Sequence, residues 1–193
     1  MDELEEACLA RFLNAWRRQP DLRRVAGGGL WARPADAGRI RRATANDAET
    51  SARFATAAAE EEGGASAFSA DLFRRDAAGA NPLLEVWFAE DGTRPCGQAI
   101  ACRGYDLHQG MPKMELLHLY VTPQHRRDGL ARMLIAEVAS RAMDLGVREL
   151  TITTGVENAV ARRFFAAIGA REDRLARYLI EPDGIEWLAA EAQ

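Results

Sequence analysis

The stretch from Met114 to Thr154 limits what this chain can fold into more than any other part of its 193 residues. Met114 to Val121 is an apolar run of strand length, bounded by Pro112 and Pro123. After Gly129, the residues Leu130, Met133, Leu134, Val138, Ala142 and Leu145 share one face at helical spacing, and Gly146 ends the pattern. Leu150-Thr151-Ile152-Thr153-Thr154 then reads as a second strand. A strand, a helix and a strand in this order pair in parallel through a right-handed crossover.

The flanking sequence adds antiparallel strands and more helices. Ile40 to Ala43 is a short strand, and Asn46 or Asp47 can cap a helix running to about Glu61. Ser66 to Arg75 reads as a second short helix. Leu84 to Ala89 and Cys96 to Arg103 form a hairpin across Asp91-Gly92. Asn158 to Ile168 is a further helix closed by Gly169, and Arg174 to Glu181 could add a last strand. The expected class is α+β, a mixed central sheet flanked by helices. The first residues stand apart: Leu4, Cys8, Phe12, Leu13 and Trp16 mark one amphipathic helix, and Pro20, Gly27-Gly28-Gly29 and Pro34 interrupt regular structure after it. We therefore divide the chain into an N-terminal helical arm, 1–38, and a domain, 39–193. The arm is too small to bury a core of its own, so it packs on the domain or meets a partner.

Composition removes several function classes. Hydrophobic residues make up 48% and charged residues 28%, as in an ordinary globular domain. No apolar stretch nears the ~20 residues of a membrane span. The start, Met1-Asp2-Glu3-Leu4-Glu5-Glu6, is acidic where a secretory signal is basic and then apolar. Cys8, Cys96 and Cys102 lie in no Cys-x-x-Cys motif, which speaks against a metal site and for a reduced, cytoplasmic chain. With 29 acids against 25 bases and a sequence pI near 5.5, the charge is wrong for a nucleic-acid binder. Lys113 is the only lysine among many arginines, a skew that reads as genomic composition.

Between the apolar strand and its helix lies Arg126-Arg127-Asp128-Gly129-Leu130-Ala131. A strand that enters a helix through a glycine turn aims several backbone N–H groups at one point, with the helix dipole behind them, and such a nest binds phosphate oxygens. Gly129 permits close approach, Ala131 avoids crowding, and the arginines add charge at the rim. The same string also fits a plain turn with solvated arginines. It lacks the glycines of Gly-x-Gly-x-x-Gly and the Gly-Lys-Ser/Thr of a nucleotide-binding loop.

Arg126, Gly129 and Ala131 resemble the Arg/Gln-x-x-Gly-x-Gly/Ala signature of the GNAT superfamily of acyl-CoA-dependent N-acyltransferases. Leu119-Tyr120-Val121-Thr122-Pro123 is similar to that family's preceding strand and turn, and Glu157 to Ala170 is similar to its Asn-x-x-Ala…Phe-Tyr-x-x-x-Gly-Phe segment. The resemblance covers roughly Arg39 to Glu181. It implies a splayed sheet and acetyl-CoA as cofactor. Backbone groups of Arg127, Asp128, Gly129, Leu130, Ala131 and Arg132 would cradle the pyrophosphate, with Arg126 of the signature also at the cofactor. Leu119, Tyr120 and Val121 would run beside the pantetheine arm, with the backbone N–H of Tyr120 or Val121 polarising the thioester carbonyl. Asn158 would hydrogen-bond the pantetheine, or cap its own helix, and Phe165 would flank the sulfur.

The implied reaction is direct acetyl transfer to a primary amine of a small molecule or peptide in a ternary complex. An alkylamine with a pKa near ~10.4 must first lose a proton. Glu115, at a position resembling that of the family's general base, is one candidate, and His118 is the other. On a regular strand 115 and 118 point to opposite faces, so without a bulge only one reaches the site. Phe165 stands where the family often has a tyrosine acid and has no proton to give, with Tyr120 and Tyr178 as weak substitutes. That departure keeps a second reading open, a coenzyme-A-binding sensor or scaffold that has lost turnover. Glu60-Glu61-Glu62 leans towards a cationic acceptor without selecting one. Neither nucleic acid nor membrane is expected as a partner, and a homodimer fits the family's habit.

Overall fold

The computed structural model describes residues 39–147, 149–173 and 179–190, so the expected arm over residues 1–38 lies outside the described residues. In chain order the elements are β1 (Arg39–Arg42), α1 (Ala48–Glu61), α2 (Ala70–Asp76), β2 (Leu84–Asp91), β3 (Arg94–Asp106), β4 (Met111–Val121), α3 (Leu130–Asp144), β5 (Leu150–Ile152), α4 (Ala159–Ala167) and α5 (Pro182–Ala190). Two compact units divide between Gly155 and Val156. The first holds the sheet with α1, α2 and α3. The second carries α4 and α5.

The strands lie in the order β1-β2-β3-β4-β5, antiparallel from β1 to β4 and parallel between β4 and β5. This is the mixed sheet that the strand–helix–strand unit and the hairpin predict together. On the front face, Val86, Phe88 and Ile100 close with Ala48 of α1 and Phe73 of α2 into a dry cluster. Ser51 of α1 donates to Gln98 Oε1 at 2.9 Å, and Gln98 Nε2 returns a bond to the Ser51 carbonyl at 3.2 Å, so these buried polar groups are satisfied and pin α1 over β3. On the back face α3 packs across β2, β3 and β4 and buries Leu134 and Val138 completely. Each such side chain contributes roughly 2 kcal/mol through area removed from water.

Glu85, also buried on the back face, receives Arg42 and Arg141 at 2.8 Å and Arg103 at 3.2 Å. Burial alone would raise its pKa. The arginines on β1, β3 and α3 outweigh that and hold it below the ordinary carboxylate value. One carboxylate thereby ties three elements to β2. On the front face Asp47 plays a similar part. Its side chain does not cap α1 as expected; it accepts from both ends of the Arg41 guanidinium at 2.8 Å and from the Thr44 N–H at 2.7 Å.

Three element readings need correction. β4 starts at Met111 and passes through Pro112, where the sequence suggests a boundary. Met114 donates its N–H to Glu149, away from β3, so two residues earlier Pro112 would point its missing N–H the same way and costs the β3 ladder nothing. The second helix starts at Ala70, capped by the Ser69 hydroxyl, not at Ser66. Of the last expected strand, 174–178 lie outside the described residues, and 179–181 are not strand; a helix begins at Pro182. Proline at the first helical position with Asp183 next to it is a start signal.

Candidate active site

β4 positions most of the chemistry. Ile100 pairs with His118 while Ala101 pairs with Leu116, so β4 holds one residue more than β3 and Leu117 is the extra one. The bulge shifts the strand's phase. Cys102 pairs with Glu115, Ile100 with His118 and Gln98 with Tyr120, and these β3 residues alternate onto the front face. Glu115, His118 and Tyr120 therefore share one face, where a regular strand would divide 115 from 118. The rings of His118 and Tyr120 stack at 6.5 Å, and Tyr120 meets Phe54 of α1 at 5.4 Å. Glu115 is half-buried.

The His118 Nε2 is buried and has no hydrogen-bond partner among the described residues. Burial drops its pKa from 6.5 to about 4, so the ring is a neutral imidazole at neutral pH. Burial likewise pushes the Tyr120 phenol up, assisted by the charge of Glu61.

β5 pairs with β4 only over Met114–Leu116, while β4 continues to Val121. β5 itself ends at Ile152, so from Leu117 onward β4 has no described strand beside it on that edge. Thr122 donates its N–H to Cys96 on β3 at 2.9 Å. By the alternation of an antiparallel ladder, 118 and 120 bond towards β3, and 119 and 121 turn their backbone groups to the open edge. Of the two N–H groups expected to polarise a thioester carbonyl, that of Val121 has the right direction and that of Tyr120 does not.

The strand ends in a short turn and enters α3 at Gly129, whose φ of +80° favours glycine. Arg127, at φ +76°, also takes the left-handed region, which is costly for a side-chain-bearing residue and common at functional turns. The first intrahelical bond runs from Met133 to the Gly129 carbonyl. The N–H groups of Leu130, Ala131 and Arg132 thus come before it, and the N-cap, being glycine, brings no side-chain cap of its own. Among the described residues, a Cβ on Gly129 would meet nothing within 4 Å. An uncapped helix start with open space over its glycine fits an anionic cofactor.

Arg126 lies at the rim but faces inward. Its Nε donates to the Val121 carbonyl at 2.9 Å, its Nη2 holds both Glu61 oxygens at 2.6 and 2.7 Å, and the guanidinium sits 5.8 Å above the Tyr120 ring. It clamps the end of α1 to the end of β4. Nothing in the local sequence pattern marks that partnership. His125 links Thr122 at 2.8 Å and Asp91 at 3.4 Å. In the second unit, Asn158 caps α4 by accepting from the Ala161 N–H at 3.0 Å, and Phe165 pairs its ring with Phe164 at 5.4 Å.

A profile of the acetyltransferase (GNAT) family matches residues 47–170, more than half of the chain, and the chain belongs to that family. Probable N-acetyltransferase family 8 member 5 of Mus musculus is 32% identical over 102 residues, covering 53% of this chain and 44% of that one. N-acetyltransferase 8 of Homo sapiens is 29% identical over 86 residues, 45% of this chain and 38% of that one. The aligned part thus spans less than half the length of these relatives. Among solved structures, a ribosomal-protein-alanine N-acetyltransferase from Brucella melitensis superposes with TM-score 0.63 at 22% identity, covering 75% of this chain and 99% of that one. An aminoglycoside N-acetyltransferase in complex with CoA gives 0.57 at 24%, covering 73% and 98%. At these identities the likeness is one of fold. Among the described residues, no helix is long and apolar enough to cross a membrane.

Proposed function

We propose that the protein is an N-acetyltransferase that moves the acetyl group of acetyl-CoA directly to a primary amine, with both substrates held at once. The bulge at Leu117 carries the reading: it turns Glu115 and His118 to one face of the strand that also offers an open edge and leads into the uncapped helix. The N–H groups of residues 130–132 hold the pyrophosphate and the helix dipole adds to their pull. Gly129 keeps the approach open and Arg127 adds charge at the rim. The Leu119 backbone groups face the edge where the pantetheine would lie as an added strand, and beside them the Val121 N–H, its carbonyl being taken by Arg126, is aimed to polarise the thioester carbonyl. When bound, acetyl-CoA supplies the activated acetyl group. The assignments of Asn158 and Phe165 rest on the family resemblance.

Glu115 takes the proton that the ammonium must lose. His118 is given the positioning part: buried and neutral, its Nε2 is suited to accept a hydrogen bond from the amine and orient the lone pair. Phe165 has no proton to offer, and a thiol of pKa ~8.5 is acidic enough to leave without a dedicated acid.

Thiol release from acetyl-CoA over a panel of primary amines tests the reading. The wild type should turn over at least one amine, and Glu115→Gln should lower kcat about 100-fold while still binding CoA. Undiminished turnover in that variant would remove Glu115 from the mechanism. CoA binding without thiol release for any amine would favour the sensor reading that Phe165 keeps open.

A further inference from the structure

The acceptor's own charge can be read from the front face. The acidic run at the end of α1 is the obvious place to attract a cation, but Glu61 is engaged by Arg126. Arg41 on the same face is matched by Asp47 at 2.8 Å and Glu90 at 2.6 Å. The two remaining charges on this face of β4 are Lys113 and Glu115. The register pairs Gly104 with Lys113 and Cys102 with Glu115, so both side chains project from the front, two residues apart. Both are half-buried, and neither has an ion-pair partner among the described residues. They are close neighbours in effect as well: the Cys102 thiol, pushed up mainly by burial, is raised further by Glu115 and lowered by Lys113.

Lys113 is also held in place. Its aliphatic stem lies over Gly104, where an added Cβ would come within 3.1 Å of the Lys113 Cε. The stem thus runs along the face of the hairpin, over a gap that a larger residue at 104 would fill. The chain's only lysine therefore has a defined position beside the candidate base.

A positive and a negative group, each half out of water and unmatched, are costly apart and are satisfied together by a ligand carrying the opposite pair. We infer that the acceptor is a small amine that also carries a carboxylate, its ammonium towards Glu115 and its carboxylate on Lys113, and that Lys113 selects it against polycations. This rests on the acetyl-transfer reading and names the acceptor class of the same site. Side chains two residues apart on a strand start ~6.6 Å from each other, a span that a short amino acid bridges. A polyamine would place its second charge against Lys113.

The test compares glycine, β-alanine and 4-aminobutyrate with their carboxamides, and with spermidine, in acetyl-CoA thiol release by the wild type, Lys113→Gln and Lys113→Arg. Direct binding of the same compounds to the CoA complex is measured by calorimetry. The expected result is a preference in kcat/KM of about tenfold or more for at least one acid over its amide. Lys113→Gln should erase it through KM, with kcat moving less than about twofold, and Lys113→Arg should restore it. Binding of the acids without turnover would sink the transferase reading and keep this one. Amides or spermidine used as well as the acids would overturn this inference and leave acetyl transfer standing. So would a Lys113→Gln variant with the wild-type preference.

Discussion

The two faces of the sheet treat charge and packing in opposite ways. At the back, Met114, Leu116, Leu134 and Val138 are sealed under α3, and the buried Glu85 is ringed by Arg42, Arg103 and Arg141. At the front, α1 and α2 cover β2 and part of β3, but along β4 the groups Lys113, Glu115 and His118 are half-buried, with no ion pair and a buried imidazole nitrogen without a partner among the described residues. Unmatched polar groups cost stability unless a ligand completes them. One strand serves both faces, so residue by residue β4 alternates between holding the domain together and presenting chemistry.

Substitutions should separate these roles. The largest effect on stability is expected at the back: Leu134→Ala leaves a cavity in a fully buried position and should lower the unfolding free energy by about 3 kcal/mol, read by denaturant titration, with the folded fraction retaining its specific activity. At the front, Glu115→Gln should show the reverse, about a 100-fold loss in kcat at little cost in melting temperature. Large destabilisation by Glu115→Gln would break the contrast.

His118 gives a sharper test, because its burial has a pH signature. Folded, the imidazole stays neutral down to about pH 4; unfolded, it takes a proton below 6.5. The unfolded state therefore binds the extra proton in that window, and stability falls as the pH drops from 6.5 to 4. Unfolding curves across this range should flatten in His118→Gln, and the wild-type kcat should show no inflection near 6.5. The smallest expected effect is at the turn. Gly129→Ala places a side chain at φ +80° and should cost about 1 kcal/mol in chemical denaturation.

Much of the fold was legible from local pattern. The helical stripe of α3, the Asp91-Gly92 hairpin and the glycine turn are set by neighbours in sequence, and they recur in the structure at nearly the expected places. The bulge was legible in principle. Met114 and Leu116 alternate inward around Glu115, Leu117 repeats the apolar type, and His118, Leu119 and Tyr120 resume the alternation one residue late. That slip in phase is the mark of an inserted residue. Not legible were the partners that tertiary folding supplies: Glu61 lies 65 residues from the Arg126 it holds, and Gly104 meets Lys113 only once the hairpin closes. Pro112 misled because proline breaks a strand only where its missing N–H was needed.

Everything proposed for this protein depends on β4, its open edge and the uncapped start of α3 together forming an acetyl-CoA site. Calorimetric titration with acetyl-CoA of the wild type and of Gly129→Trp, with circular dichroism to show that both are folded, tests it most directly. The expected result is micromolar binding by the wild type and its loss in the variant, whose indole would fill the open space over the turn. A folded wild type that fails to bind, or a folded variant that binds as well as the wild type, would contradict it.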